Sequence, residues 1–125
     1  MWTHFIVFHM IQFLYSGEIS KEITANVMYL FELFRIAEYF AINSLITECC
    51  NQFILTLSAS SVCFLVLHLE GKFEHVAQIQ FIHQNNILWR FMIQNIKKIK
   101  KTEHYQQILH NKPELLNKLI EKMTS

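Results

Sequence analysis

The sequence predicts a mostly α-helical fold, a bundle of about seven helices with at most one short strand. Three observations predict it. The 125 residues contain only two glycines and one proline, too few to punctuate a loop-rich or all-β fold. Apolar residues make up 52%, enough for a packed core and well above disordered composition. Apolar positions also recur at helical spacing through most stretches between the few breaks.

The elements follow in order. From about Thr3 to Tyr15, Phe5, Phe8, Ile11 or Gln12, and Tyr15 approximate a helical stripe, while the opposite face (Ile6, Met10, Phe13) is apolar as well. A helix apolar all round is expected to be buried on most sides. We therefore read it as a core helix whose partner surface lies partly outside this chain. Gly17 supplies the break, since it takes a positive φ without a Cβ clash. Glu18 to Ile23 alternates loosely and reads as a short strand or an extended linker. Asn26 is a plausible N-cap for a helix with Val27, Leu30, Phe31, Phe34, Ala37 and Tyr39 as its apolar stripe. Glu32, Arg35 and Glu38 lie on its wet face, with Glu32 and Arg35 one turn apart. Asn43 or Ser44 is the expected cap of the next helix, which buries Leu45, Cys49 and Phe53 with Ile46, Cys50 and Ile54 beside them.

Ser58 can start a further helix from Ala59 to about Leu69, ended by Gly71. Lys72 to Lys101 holds no glycine or proline, so one long helix and two helices kinked near Asn85-Asn86 both fit. It contains a near-repeat, Phe81-Ile82-His83-Gln84-Asn85 and Phe91-Met92-Ile93-Gln94-Asn95, too short in period for a solenoid. Thr102 then caps a short helix with Tyr105, Ile108 and Leu109. Pro113, followed by Glu114, opens a last helix, with Leu115, Leu116, Leu119, Ile120 and Met123 on one face and Lys118, Glu121 and Lys122 on the other.

Composition narrows the function classes. A net charge of +1 gives no long-range field toward nucleic acid or membrane. The N-terminal apolar stretch has no basic leader and no small-residue cleavage site, and is too short to span a bilayer. An intracellular protein, nuclear or cytoplasmic, is expected. The thiols of Cys49, Cys50 and Cys63 fall in apolar helix patterns and read as reduced and buried. Eleven phenylalanines are many for so short a chain, and a helical domain of this size cannot bury every apolar face. A protein partner or self-association is expected to cover the remainder.

Sites for chemistry are sparse. His68, His75 and His83 are spaced seven and eight apart, which on one helix puts ligands about 10 Å apart, too far to share one zinc. No CxxC, HExxH, GxSxG or phosphate-cradling glycine loop is present. The thiols sit in no recognisable basic pocket. No catalytic residue, cofactor, metal or small-molecule substrate is expected, and the chain reads as a non-enzyme. Lys97, Lys98, Lys100 and Lys101, interleaved with Ile96 and Ile99, could contact phosphates, but read first as a solvated helix face over two packed isoleucines, so no nucleic-acid partner is expected.

These residues resemble a known family. Phe13-Leu14-Tyr15-Ser16-Gly17-Glu18-Ile19 resembles the exit of a BTB/POZ domain. Asn26-Val27, Leu30, Leu33, Ile36-Ala37-Glu38-Tyr39-Phe40, Ile42, Leu45, Cys49 and Phe53 follow the spacing of that domain's C-terminal helices. Leu57-Ser58, Val62 and Leu65 resemble the start of the helical extension after it. Asn95, Ile99, Thr102-Glu103, Tyr105 and Pro113-Glu114-Leu115-Leu116 resemble the tail of speckle-type POZ proteins, with Tyr105 where tryptophan is commoner. The resemblance implies that residues 1–56 are the C-terminal part of a BTB/POZ domain and 57–125 a BACK-like helical extension, with the N-terminal part of BTB and the MATH domain absent.

What the resemblance implies is a non-enzymatic substrate adaptor of a cullin-3 ubiquitin ligase in truncated form. The partner-facing positions carried over are Tyr15, Asn43 and Leu45 toward the cullin, and Leu115, Leu116 and Leu119 for self-association. The alternatives are a free-standing helical oligomerisation protein without a ligase role and, more weakly, a nucleic-acid-binding helix bundle through Lys97 to Lys101.

Overall fold

The structure, a computed structural model, describes residues 2–124 and, within these, every side chain except those of His104, Leu109, Leu116, Met123 and Thr124. The described residues form ten helices and no strand. The chain divides into two compact units, Met1–Thr56 and Leu57–Ser125. Three short helical pieces account for the excess over seven helices, and each arises at a local feature of the backbone.

The first unit holds α1 (His4–Ser16), α2 (Lys21–Thr24), α3 (Val27–Tyr39) and α4 (Asn43–Leu55). Its centre is α3, which packs against the other three helices. Leu30, Leu33, Phe34, Ile36 and Ala37 on α3 are fully buried. The Phe34 ring meets Phe53 of α4 edge-on at 5.6 Å, a geometry that adds about 0.5–1.5 kcal/mol to the area both rings bury. Asn26 caps α3 as expected, its Oδ1 accepting from the backbone N–H of Met28 at 3.0 Å and of Tyr29 at 3.4 Å. Tyr39, expected on the buried stripe, is instead 71% exposed, whereas Leu33 and Ile36 are buried.

Two further expectations in this unit are corrected. Glu18 to Ile23 forms no strand, and the alternative reading as an extended linker holds only for residues 18–20. Ser16 Oγ accepts from Glu18 N–H at 3.2 Å, which bends the chain locally, and Lys21–Thr24 closes a single helical turn with Ile23 fully buried. Neither Asn43 nor Ser44 caps α4, since Ile42 occupies the N-cap position without a side-chain hydrogen bond. The chain instead enters α4 from a tight turn. Ala41 is left-handed (φ 55), Ile42 N–H reaches the Ala37 carbonyl at 2.9 Å and Ala41 N–H reaches Glu38 at 3.1 Å. This is a Schellman ending made without glycine.

The second unit holds α5 (Ala59–Leu69), α6 (Ala77–Gln84), α7 (Ile87–Gln94), α8 (Ile96–Ile99), α9 (Glu103–Asn111) and α10 (Pro113–Thr124). Its centre is α5, buried at every position from Ser61 to Leu67 and at Leu69, and packed against α7, α8 and α9. Ser58 and Ser61 form a reciprocal capping box that starts α5, and Thr102 Oγ1 accepts from Tyr105 N–H to start α9. Gly71, at φ 73, follows the end of α5.

The glycine-free stretch is broken at Asn86, which takes φ 52 between α6 and α7. The near-repeat turns out to be a repeated helix ending. Asn85 Nδ2 donates to the Phe81 carbonyl at 2.9 Å, and Asn95 Nδ2 donates to the Phe91 carbonyl at 3.0 Å. In both places the backbone N–H of the same asparagine reaches the same carbonyl. A side chain that competes for the i−4 carbonyl favours stopping a helix over extending it.

Candidate protein-binding surface

The α1 sequence, HFIVFHMIQFLYS, contains no Asp, Glu, Lys or Arg. Thr3 starts it, its hydroxyl accepting from Ile6 N–H at 3.3 Å. Gly17 (φ 76) ends it, its N–H donating to Phe13 at 2.7 Å. With apolar residues on every side, periodicity does not decide which face turns inward, and packing against α3 decides it. Ile6, His9 and Phe13 are the buried residues. Phe5, half-buried, stacks edge-on against Tyr29 of α3 at 4.9 Å. His9 is the buried polar member of that face, with Nδ1 lying 3.1 Å from Gln12 Oε1 and 3.2 Å from Ser20 Oγ.

The opposite face is open. Phe8 is 61% exposed, Ile11 45%, Leu14 57% and Tyr15 90%. Phe8, Ile11 and Tyr15 follow the i, i+3, i+7 spacing of one helix face. The expectation that α1 is buried on most sides is therefore corrected, because α3 covers one side of it and no other described helix of the unit makes a comparable contact with it. The result is a contiguous, uncharged apolar stripe, the kind of surface that marks protein interaction sites.

The six carried-over positions separate. Tyr15 lies on the stripe. Asn43 is exposed at the first residue of α4. Leu45, two residues further along the same helix, is fully buried, and a substitution there acts on the core of the unit before it acts on any partner. Leu115 and Leu119 lie four apart on α10 and are buried at 6% and 4% exposure, so they hold the second unit together. The side chain of Leu116 lies outside the described residues. In the sequence Phe8 and Ile11 fall on one helical stripe with Tyr15, and Leu14 falls in the motif that holds Tyr15. Sequence reasoning singles out none of the three as a partner-facing position, although the lack of any charged residue in α1 was a signal available to find them.

The remaining sequence candidates also have places. Lys97, Lys98, Lys100 and Lys101 are exposed around fully buried Ile99, with Ile96 half-buried. His83 Nε2 donates to the Leu69 carbonyl at 3.0 Å, while Glu70 accepts from Lys118 at 3.1 Å. His68 is half-buried on α5 and His75 exposed in the loop before α6. Among the described residues, no group of three His, Cys, Asp or Glu is arranged to hold a metal ion, and no helix is long and apolar enough to cross a membrane. All three thiols are buried and unpaired by disulfides. Burial pushes Cys50 up to about 12 and Cys63 up to about 11, the latter partly offset by Thr102 Oγ1 donating to its sulfur at 3.9 Å. Cys49 is pushed well above its ordinary 9.0 by burial and, to a lesser degree, by Cys50 and Glu48. At neutral pH these groups are thiols, and thiols are poor nucleophiles.

No protein-family model matches the chain, and neither a curated protein nor a solved structure matches it.

Proposed function

We propose that this chain is a non-enzymatic protein–protein interaction module whose working surface is the outward stripe of α1, and that it serves in a substrate adaptor of a cullin-3 ubiquitin ligase. The observation that carries the interaction reading is the stripe itself, four exposed apolar side chains on a helix without a charge. The ligase context is supported by the BTB/POZ-like spacing running from Phe13 through Phe53 and by the exposure of Tyr15 within that motif. The test is co-precipitation of the chain with the N-terminal domain of cullin-3. Binding that is lost in a Phe8→Ser, Tyr15→Ala double variant with an unchanged melting curve supports the adaptor. Failure of the unaltered chain to bind removes it.

A second reading, self-association without a ligase role, is favoured by the same lack of charge, which makes the stripe compatible with a copy of itself about a two-fold axis. Its exposed apolar area is about 500 Å² per chain from typical side-chain areas, so a symmetric pair would bury about 1,000 Å², near the lower bound for a specific interface. Light scattering over a concentration series decides this reading. A dimer abolished by the same double variant supports it, and a monomer at every concentration overturns it.

A further inference from the structure

The first unit carries a second feature that shares no residue with the stripe. A cleft of about 440 Å³ is lined by Trp2, Glu32, Arg35, Tyr39 and Phe40. Of its three aromatic rings, Tyr39 stands at a steep angle to each of the other two. Trp2 and Tyr39 are 6.4 Å apart at 65°, and Tyr39 and Phe40 are 5.0 Å apart at 86°. Tyr39 and Phe40 are 71% and 55% exposed, so both rings are open to solvent. The cleft already holds a cation. The Arg35 guanidinium carbon lies 5.2 Å from the Trp2 ring centroid, and its Nη1 donates to Glu32 Oε1 at 3.1 Å. An aromatic face on one side and a carboxylate on the other is the chemistry that receives a weakly hydrated cation.

We propose that this cleft is an aromatic cage for a quaternary ammonium group, and that Arg35 is its built-in competitor. A trimethylated ammonium has an apolar periphery that fits between aromatic walls and has no N–H to satisfy, so Glu32 need supply only charge. An unmethylated ammonium keeps its hydration shell and gains less on entering. Arg35 is held weakly. Its side chain is 47% exposed, and its partner Glu32 is 39% exposed and one turn away, so both contacts are of the kind that solvent and salt reduce. Arg35 can swing out, leaving Trp2, Tyr39, Phe40 and Glu32 around the ligand. Two sources carry this headgroup, a trimethylated lysine and a choline.

The test follows the indole Nε1–H resonances of the full chain by NMR during titration with Nε-trimethyl-lysine amide, unmodified lysine amide and choline. Trp2 is expected to shift while Trp89, 4% exposed in the second unit, stays in place, and trimethyl-lysine is expected to bind about tenfold more tightly than lysine. The decisive variant is Arg35→Ala, which empties the cage of its competitor and is expected to raise affinity about tenfold. Adding Glu32→Gln to it is expected to remove that gain, and Tyr39→Ala, which leaves the Trp2 reporter in place, to abolish binding. Circular dichroism checks that each variant is folded. Preference for the lysine derivative assigns a modified protein as the source, and preference for choline assigns a choline-bearing molecule; either supports the cage. Equal binding of lysine and trimethyl-lysine, or an Arg35→Ala variant that binds no better than the unaltered chain, overturns it. The α1 stripe plays no part in these readouts, so the two proposals fail separately.

Discussion

Ala41 takes φ 55 at the turn from α3 into α4, a conformation in which a Cβ is crowded and glycine is not. Ala41→Gly is therefore expected to stabilise the chain by about 0.5 kcal/mol, the relief of strain exceeding the added freedom of the unfolded chain. A higher urea midpoint with unchanged slope would show it. At the start of α3, Asn26→Ala is expected to lower stability by about 1 kcal/mol, because two backbone donors lose their acceptor. The thiols give a pH dependence whose sign is set by their raised values. Folded Cys50 keeps its proton up to about 12 and Cys63 up to about 11, while in the unfolded chain each loses it near 9.0. Their contribution is fully present below pH 9 and is lost as pH climbs from there toward 11 and 12, at about 1.4 kcal/mol per pH unit for each thiol. Denaturant titrations across that window would measure the slope, and an unchanged midpoint would contradict the burial. At this scale the sequence was informative where a cap has a side-chain signature, as at Asn26, Ser58 and Thr102. It was silent at Ala41, where an ordinary residue does what glycine does elsewhere.

Among the helices, α1 shows how far periodicity reaches. Its apolar character on both sides was legible, but its orientation was not, because two apolar faces score alike. His9 joined the inner face through Gln12 and Ser20, leaving Phe8, Ile11 and Tyr15 outside. A pair of substitutions separates the two faces. Phe13→Ala, at 7% exposure, is expected to cost about 3–5 kcal/mol through the cavity it leaves. Phe8→Ser is expected to change thermal stability by less than about 0.5 kcal/mol while reducing association. A melting temperature that fell equally in both variants would mean that the outer face is packed. The break between α6 and α7 was legible only as a choice, since Asn85-Asn86 fits a kink and a helix interior alike. The left-handed Asn86 and the Phe81 and Phe91 carbonyls, each taken by an asparagine side chain, resolve it.

For the whole molecule, net charge and the uncharged α1 stripe together fix the response to salt. Association through the stripe should not weaken as sodium chloride is raised, and should strengthen in sulfate, which favours apolar burial. Sedimentation at low and high salt would show it, and dissociation by salt would point instead to ion pairs between chains. The helical class was legible from glycine, proline and apolar spacing because those set which backbone hydrogen bonds are possible everywhere at once. The candidate site was legible only in part, since whether a leucine such as Leu45, Leu115 or Leu119 meets a partner or a core depends on contacts far away in the sequence. The two-sided α1 also bears on how the protein is made. Translation delivers α1 before α3, so between those moments the nascent helix has an inner face without its cover and an outer face that never receives one from α3. The interval in which this stretch is apolar and uncovered on both faces ends only when Phe34 and its neighbours emerge.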